Sequence, residues 1–325
     1  MRRWFGALIV LPCLCSATSA QTLSYPQRPI TIIVTAAVGG VTDVVARALG
    51  QELSKAWRQP VVIENRGGAA HILGAQAVAK ADPDGYTLLA AESGAFTINP
   101  ILYPKGKLPY DTDKDFVPIS GLVRVNHALL ADRSLPVANV SELIALAKEK
   151  PGQLTYGTAG IGSMPHMNMA LFENMAGVKL LAVHYRGATP ALNDLIGGNI
   201  NLLSFSVSSA LPPFQAGQAK LLGVGSAKRL PQLPDLPTIA ESGVPGYQAG
   251  VWFGLFGTAG MPNEIVMKLN AEVQRIFNDP EFRARFLDPE MYEPMTGPPQ
   301  EFAEYIKAER RKWSKVIRDA DIKLE

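Results

Sequence analysis

Short β-branched runs alternate with amphipathic helical runs along most of this chain, and that alternation limits the fold more than any other feature. Ile30-Thr31-Ile32-Ile33-Val34 is the kind of run expected of a strand buried on both faces. Val44, Val45, Ala48, Leu49, Leu53 and Trp57 follow at helical spacing, so a helix is predicted to start near Thr42 or Asp43. Val61-Val62-Ile63 reads as a second strand, with the next helix through Ile72, Leu73, Ala75, Val78 and Ala79. A third strand is predicted over 86–90, with a polar loop over 92–97 at its carboxyl end. DFVPISGLVRVNHALLAD is extended throughout and reads as a strand that leaves one domain and enters another. Beyond it, strands predicted over 154–157, 180–185, 201–205 and 221–225 alternate with helices over 141–150, 164–176, 188–196 and 208–215. RLPQLPDLPTIAESGVPGYQ is a proline-punctuated connector rather than a helix. A strand over 251–257 and helices over 264–277 and 302–317 complete the chain.

Two such series joined by two long crossings imply an α/β fold of two doubly wound lobes with a ligand cleft between them. The expected division is 21–124 plus 226–325 for the first domain and 125–225 for the second, two domains being usual for ~305 residues. A single continuous sheet would argue against that division. Ligands in such sheets sit beyond the carboxyl ends of the strands, which points to the loops after the first, third and fifth predicted strands.

The amino-terminal stretch narrows the compartment. Met1-Arg2-Arg3 is basic, residues 4–14 are largely apolar, and Ser16-Ala17-Thr18-Ser19-Ala20 is a run of small residues. This is the pattern of a cleaved signal peptide over 1–20, and the apolar stretch is too short to span a bilayer. Both cysteines, Cys13 and Cys15, lie within it, and Pro12 and Leu14 stand where a lipoprotein site needs a small residue. The mature chain then has no disulfide, thiolate nucleophile or Cys-ligated metal. Removing Arg2 and Arg3 takes the formal charge from +2 to 2 − 2 = 0, so no electrostatic case exists for nucleic acid.

The loop TAAVGGVTD, between the first strand and the first helix, lacks the Lys-Ser/Thr pair of a P-loop and the G-x-G-x-x-G of a dinucleotide site. Gly39 and Gly40 can bring backbone N–H groups to an anion at the helix start, with Val38, Thr42 and Asp43 beside them. The alternative is that the glycines merely turn the chain and Thr42 or Asp43 caps the helix. Ser93, Thr97, Thr158 and Ser163 are short hydroxyl donors on loops beyond strands, and Ser163 follows Gly160-Ile161-Gly162 as the opening loop's logic repeats. Ser163 also reads as a simple N-cap. His71, His127, His166 and His184 show no metal-binding spacing, and no metal is expected. Arg186, after His184 and Tyr185, can hold a carboxylate bidentately or stand exposed. G-x-S-x-G is absent and the cleft loops offer mainly Glu92 and Asp43, which disfavours an exported hydrolase.

YPQRPITIIV, TDVVAR, VVIENR, DPDGYTLL and NPILY together resemble the Bug family, the extracytoplasmic solute receptors of tripartite tricarboxylate transporters. LPYDTDKDFVPI, LTYGTAGIGSMPH, HYRGATPALNDLIGG, LPDLPTIAESGVPGY and WFGLFGTAGMP continue the resemblance in order along the mature chain. It implies a Venus-flytrap periplasmic binding protein, expected to be a monomer without cofactor. Its partners would be a small organic carboxylate, aliphatic or aromatic with a dicarboxylate among the candidates, and membrane transporter subunits. It also implies recognition mainly by backbone N–H groups, hydroxyls and ordered water. With the residues above, Gly94, Gly160, His166, Tyr185, Phe205 and Ser206 complete the candidate ligand set. This chain departs from the family pattern at Val38 and Ala36, where prolines are common, at His71 in place of a glycine, and at Phe205 in place of an aspartate. A ring at position 205 makes the pocket more apolar and argues against an amino-acid ligand. A role as a ligand-sensing partner of a membrane signalling protein shares the same binding function.

Overall fold

The computed structural model describes residues 25–68 and 70–324; the expected signal peptide lies outside the described residues. The first part of the chain runs β1 (Ile30–Val34), α1 (Val41–Trp57), β2 (Val61–Asn65), α2 (Ile72–Ala79) and β3 (Thr87–Glu92). Two short helices, α3 (Gly94–Thr97) and α4 (Asn99–Leu102), follow β3 where the sequence suggests a polar loop. The long strand β4 (Phe116–Asp132) leads into α5 (Val140–Glu149), β5 (Thr155–Thr158), α6 (Met164–Ala176), β6 (Leu181–His184), α7 (Ala188–Ile196), β7 (Leu202–Ser206), α8 (Val207–Gln215) and β8 (Ala219–Val224). An irregular return then reaches β9 (Gly250–Thr258), α9 (Asn263–Asn278), α10 (Pro280–Phe282) with a π-turn, β10 (Tyr292–Pro294) and α11 (Pro299–Asp319).

The sheet order is β2-β1-β3-β9-β4-β7-β5-β6, with β8 and β10 also on β4. One of the two crossings is itself a strand of both halves. The ten described strands therefore form one continuous sheet, and the expectation of separate sheets does not hold. The halves are distinguished instead by the partners they take along β4. Within β4 the partners change. Phe116 to Asn126 pair with β9, whereas His127 to Ala131 pair with β7 and Ala128 to Asp132 with β8. In each half a central parallel strand is flanked by the next strand on one side and a later one on the other. β1 lies between β2 and β3, and β5 between β6 and β7. Those reversals of strand order open a crevice at the carboxyl ends.

Local chemistry explains the elements around that crevice. Ile30, Ile32, Ile33 and Val34 are buried, as a strand covered on both faces requires. α1 buries Val45, Ala46, Leu49 and Leu53 on one face, and ends at Arg58 in a left-handed conformation, φ 53°. α6 is buried continuously from Met164 to Phe172, and α11 packs on it from the other half. Gly177, φ 64°, terminates α6.

The two crossings touch through bare backbone. Gly225 N–H donates to the His127 carbonyl at 2.8 Å, and Ala249 N–H donates to the Gly225 carbonyl at 2.9 Å. A Cβ on Gly225 would stand 2.5 Å from the Ala249 oxygen, and one on Gly250 would stand 2.7 Å from the Val125 oxygen. Gly225→Ala is therefore expected to destabilise the protein by about 1–3 kcal/mol, the scale of overpacking against atoms that cannot rotate away. Urea unfolding checks this; a loss below ~0.5 kcal/mol would mean that the crossing has slack.

Candidate functional site

A cavity of about 530 Å³ lies at this crevice. The loops after four strands converge on it, through Ala36 after β1, Glu92 at the end of β3, Ala159 after β5 and Ser206 at the end of β7. Four helices also begin at its wall: α1 at Gly40 to Thr42, α6 at Ser163 to Pro165, α7 at Ala188, and α8 after Ser206. None of these four starts carries a side-chain cap, whereas α5 is capped by Asn139 accepting from Glu142 N–H. Helix geometry leaves first-turn N–H groups without intrahelical partners, so the wall presents backbone donors and the positive ends of helices.

The opening loop is shaped by Asp43. One of its oxygens accepts the Gly39 N–H at 2.9 Å, and the other accepts from Asn65 at 2.8 Å and pairs with Arg47 at 2.8 Å. Burial alone would raise the Asp43 pKa, but Arg47, the Gly39 N–H and Asn65 outweigh it and hold the group below the usual carboxylate range. Asp43 is thus committed within its own lobe and does not line the cavity. The left-handed residue is Gly39, at φ 84°, whereas Gly40 is extended at φ −71° and reaches the wall by position rather than by special conformation. Val38 is 75% exposed and points away from the cavity lining.

The second lobe repeats the arrangement with different contacts. Ser163 occupies the N-cap position, yet its Oγ accepts the Ala159 N–H at 3.2 Å instead of capping α6. Gly162 N–H donates to His166 Nδ1 at 3.1 Å, so the ring supports the loop from behind. Burial, with a smaller push from His184, lowers the His166 pKa to about 4 and keeps the ring neutral as that bond requires. Thr158 Oγ1 accepts the Gly160 N–H at 3.1 Å and lies 2.7 Å from His184 Nδ1.

Of the residues expected from sequence, Gly40, Thr42, Gly94, Ser163, Phe205 and Ser206 line the cavity. Gly39, Asp43, Thr158, Gly160 and His166 stand behind that lining as supports. Ser93 is buried, and Thr97 donates its hydroxyl to the Ser93 carbonyl at 2.8 Å because α3 turns it inward. Tyr185 donates to Asp194 at 2.7 Å, and Arg186 is exposed; neither reaches the cavity.

The walls also hold residues that periodicity did not single out. His127 lines the cavity from β4, its Nδ1 beside Ser204 Oγ at 3.2 Å and Asn168 Nδ2 at 3.1 Å. Burial pushes its pKa down to about 4, so it is neutral at neutral pH. Val125, Val251 and Phe253 add apolar surface from the shared strand and β9, and His71 and Asn99 come from the first lobe. The available signal for Val125 and His127 was their place two apart on the strand predicted to cross between domains, which puts both on one face of it, while Asn126 between them does not line the cavity. Among the described residues no lysine or arginine lines the cavity, and Glu92 is the one acid that does. Among the described residues no group of three or more His, Cys, Asp or Glu side chains could hold a metal ion.

A mixed α/β chain with two sheet halves and a cavity between them defines a two-lobed solute-binding protein. The chain belongs to the tripartite tricarboxylate transporter receptor family, whose pattern matches residues 45–322. It is 36% identical over 318 residues to a protein encoded between tcbD and tcbE in Pseudomonas sp. strain P51, covering 97% of this chain and 94% of that one. A structure of R. palustris Rpa4515 with adipate superposes with a TM-score of 0.81 at 37% identity, over 92% of this chain and 99% of that one. The periplasmic binding protein BugD gives a TM-score of 0.76 at 33% identity, over 93% and 100%. These are solute-binding receptors and not enzymes.

His166 makes the site's support sensitive to acid. An unfolded histidine takes its proton near 6.5, the folded ring only near 4, so the unfolded state binds more protons between those values. Stability therefore falls as pH drops through that window. Wild type should lose on the order of 3 kcal/mol more than His166→Gln between pH 7 and pH 4. Calorimetric melting at a series of pH values measures the difference, and parallel curves for the two proteins would contradict it.

Proposed function

We propose that this protein is an exported periplasmic receptor that closes two lobes on a small organic carboxylate and delivers it to the membrane subunits of a tripartite tricarboxylate-type transporter. The observation that carries this reading is the cavity wall, where four uncapped helix starts converge without a lysine or arginine. Such a wall suits one carboxylate group held by backbone N–H donors. The adipate bound to Rpa4515, a relative at 37% identity, supports a carboxylate as the ligand class. The moving bodies are residues 25–124 with 226–324, and residues 125–225, hinged where the two crossings meet. The receptor acts as a monomer, exported by the signal peptide over 1–20.

Two substitutions test the neutral cradle. Arg186→Ala should change carboxylate affinity by less than about twofold, since the guanidinium is exposed and outside the cavity lining. Ser163→Ala should weaken binding by about 1 kcal/mol, through loss of a hydroxyl that also steadies the loop. Titration calorimetry against a panel of mono- and dicarboxylates reads both, and a loss above ~3 kcal/mol for Arg186→Ala would mean that a charged pair carries recognition instead. Small-angle scattering with saturating ligand should show a more compact particle, and an unchanged radius would contradict lobe closure.

A further inference from the structure

The one acid among the described residues of the cavity lining has an unusual neighbour. Glu92 Oε2 lies 3.7 Å from His71 Nε2, and the two side chains are each about 25% exposed. The other ring nitrogen, Nδ1, is 3.1 Å from the Thr35 carbonyl oxygen. A carbonyl only accepts, so Nδ1 carries the hydrogen. In the neutral ring Nε2 is then a lone pair, and two acceptors face each other across a gap longer than a hydrogen bond. A group with two donor hydrogens, such as an ammonium, placed beside them satisfies both. In the charged ring Nε2 becomes an N–H, and a hydroxyl in the gap can accept from it while donating to Glu92.

The backbone supports a role for this ring. His71 sits at φ 73° and the preceding Ala70 at φ 50°, conformations that a glycine would adopt without strain. His71 is also the N-cap of α2 but makes no side-chain cap bond there, so its ring does not serve the helix. It is turned instead toward Thr35, Glu92 and the cavity.

Charge decides what can approach. With no lysine or arginine among the described residues of the lining, a second carboxylate next to Glu92 would meet a like charge with no fixed cation there to offset it. The apolar faces of Phe205, Phe253, Val125 and Val251 can pack the carbon skeleton. We propose that His71 and Glu92 read a hydrogen-bond donor on the ligand, so that this receptor selects carboxylates bearing a hydroxyl or, against the expectation drawn from Phe205, an ammonium group over plain monocarboxylates and over diacids of the same length. The inference rests on the carboxylate reading above and adds the chemistry of the ligand's other polar group.

The test is titration calorimetry on the full mature protein with C4 to C6 straight-chain acids. Each set contains the parent monocarboxylate, its hydroxy and amino derivatives, and the α,ω-diacid. Wild type should bind at least one hydroxy or amino acid tenfold or more tightly than its parent and its diacid. The hydroxy and amino arms identify which donor is used. Glu92→Gln should erase the preference for the donor and raise diacid affinity at least tenfold. His71→Gly, which relieves the backbone and removes the ring, should also lose the preference while the protein stays folded by circular dichroism. Equal affinity for parent, derivatives and diacid, or a diacid preference unmoved by Glu92→Gln, would overturn this inference and leave the carboxylate reading standing. Failure of every acid to bind would overturn both.

Discussion

The architecture depends on one strand serving two neighbourhoods. β4 pairs with β9 through its first eleven residues and with β7 and β8 through its last six, and the exchange falls between Asn126 and His127. Because the strand is continuous, the carboxyl ends of β1 and β3 in one half are held facing those of β5 and β7 in the other. The return crossing meets β4 at Gly225 and Gly250, where only hydrogen atoms fit between the chains. For the proposed lobe closure, a crossing built this way has few side chains to repack. The positions of the loops are therefore set by the sheet rather than by the loops themselves.

On the proposed function, anion recognition follows from the ends of secondary structure. Each strand of the central pairs feeds a helix, and each helix start offers N–H groups that its own turn cannot satisfy. Near those starts Asp43 is used internally, accepting from the Gly39 N–H, and Arg186, just before α7, is exposed outside the cavity lining. Among the described residues the cavity lining carries no acid or strong base apart from Glu92, so the proposed binding relies on fixed dipoles that need no reorganisation. The neutral His166 behind one loop and the neutral His127 in the wall extend the same economy of charge.

The secondary structure was largely legible in the residues. The boundaries of β1, α6 and α7 coincide with the expected ones, because β-branched runs, Ser163 before Met164-Pro165, and Gly187 and Gly197 around α7 punctuate them clearly. α3 and α4 were not legible, since helices of four residues have no period to read and Ser93 and Thr97 look polar. The loops that form the cavity were legible from their place after strands. Individual contacts were less so, because a hydroxyl or carboxylate on such a loop can turn either way. Thr97 turned to Ser93, Asp43 to Gly39 and Asn65, and Arg186 to solvent. The departures at His71 and Phe205 proved to be in the cavity wall, where a changed side chain alters what the cavity accepts.

A crystal structure of the protein with a bound carboxylate tests the account most directly. The account predicts both carboxylate oxygens within hydrogen-bond distance of backbone N–H groups at the starts of α1 and α6, with no arginine or lysine side chain in contact. A carboxylate held instead by a guanidinium or ammonium group swung into the cavity would contradict it.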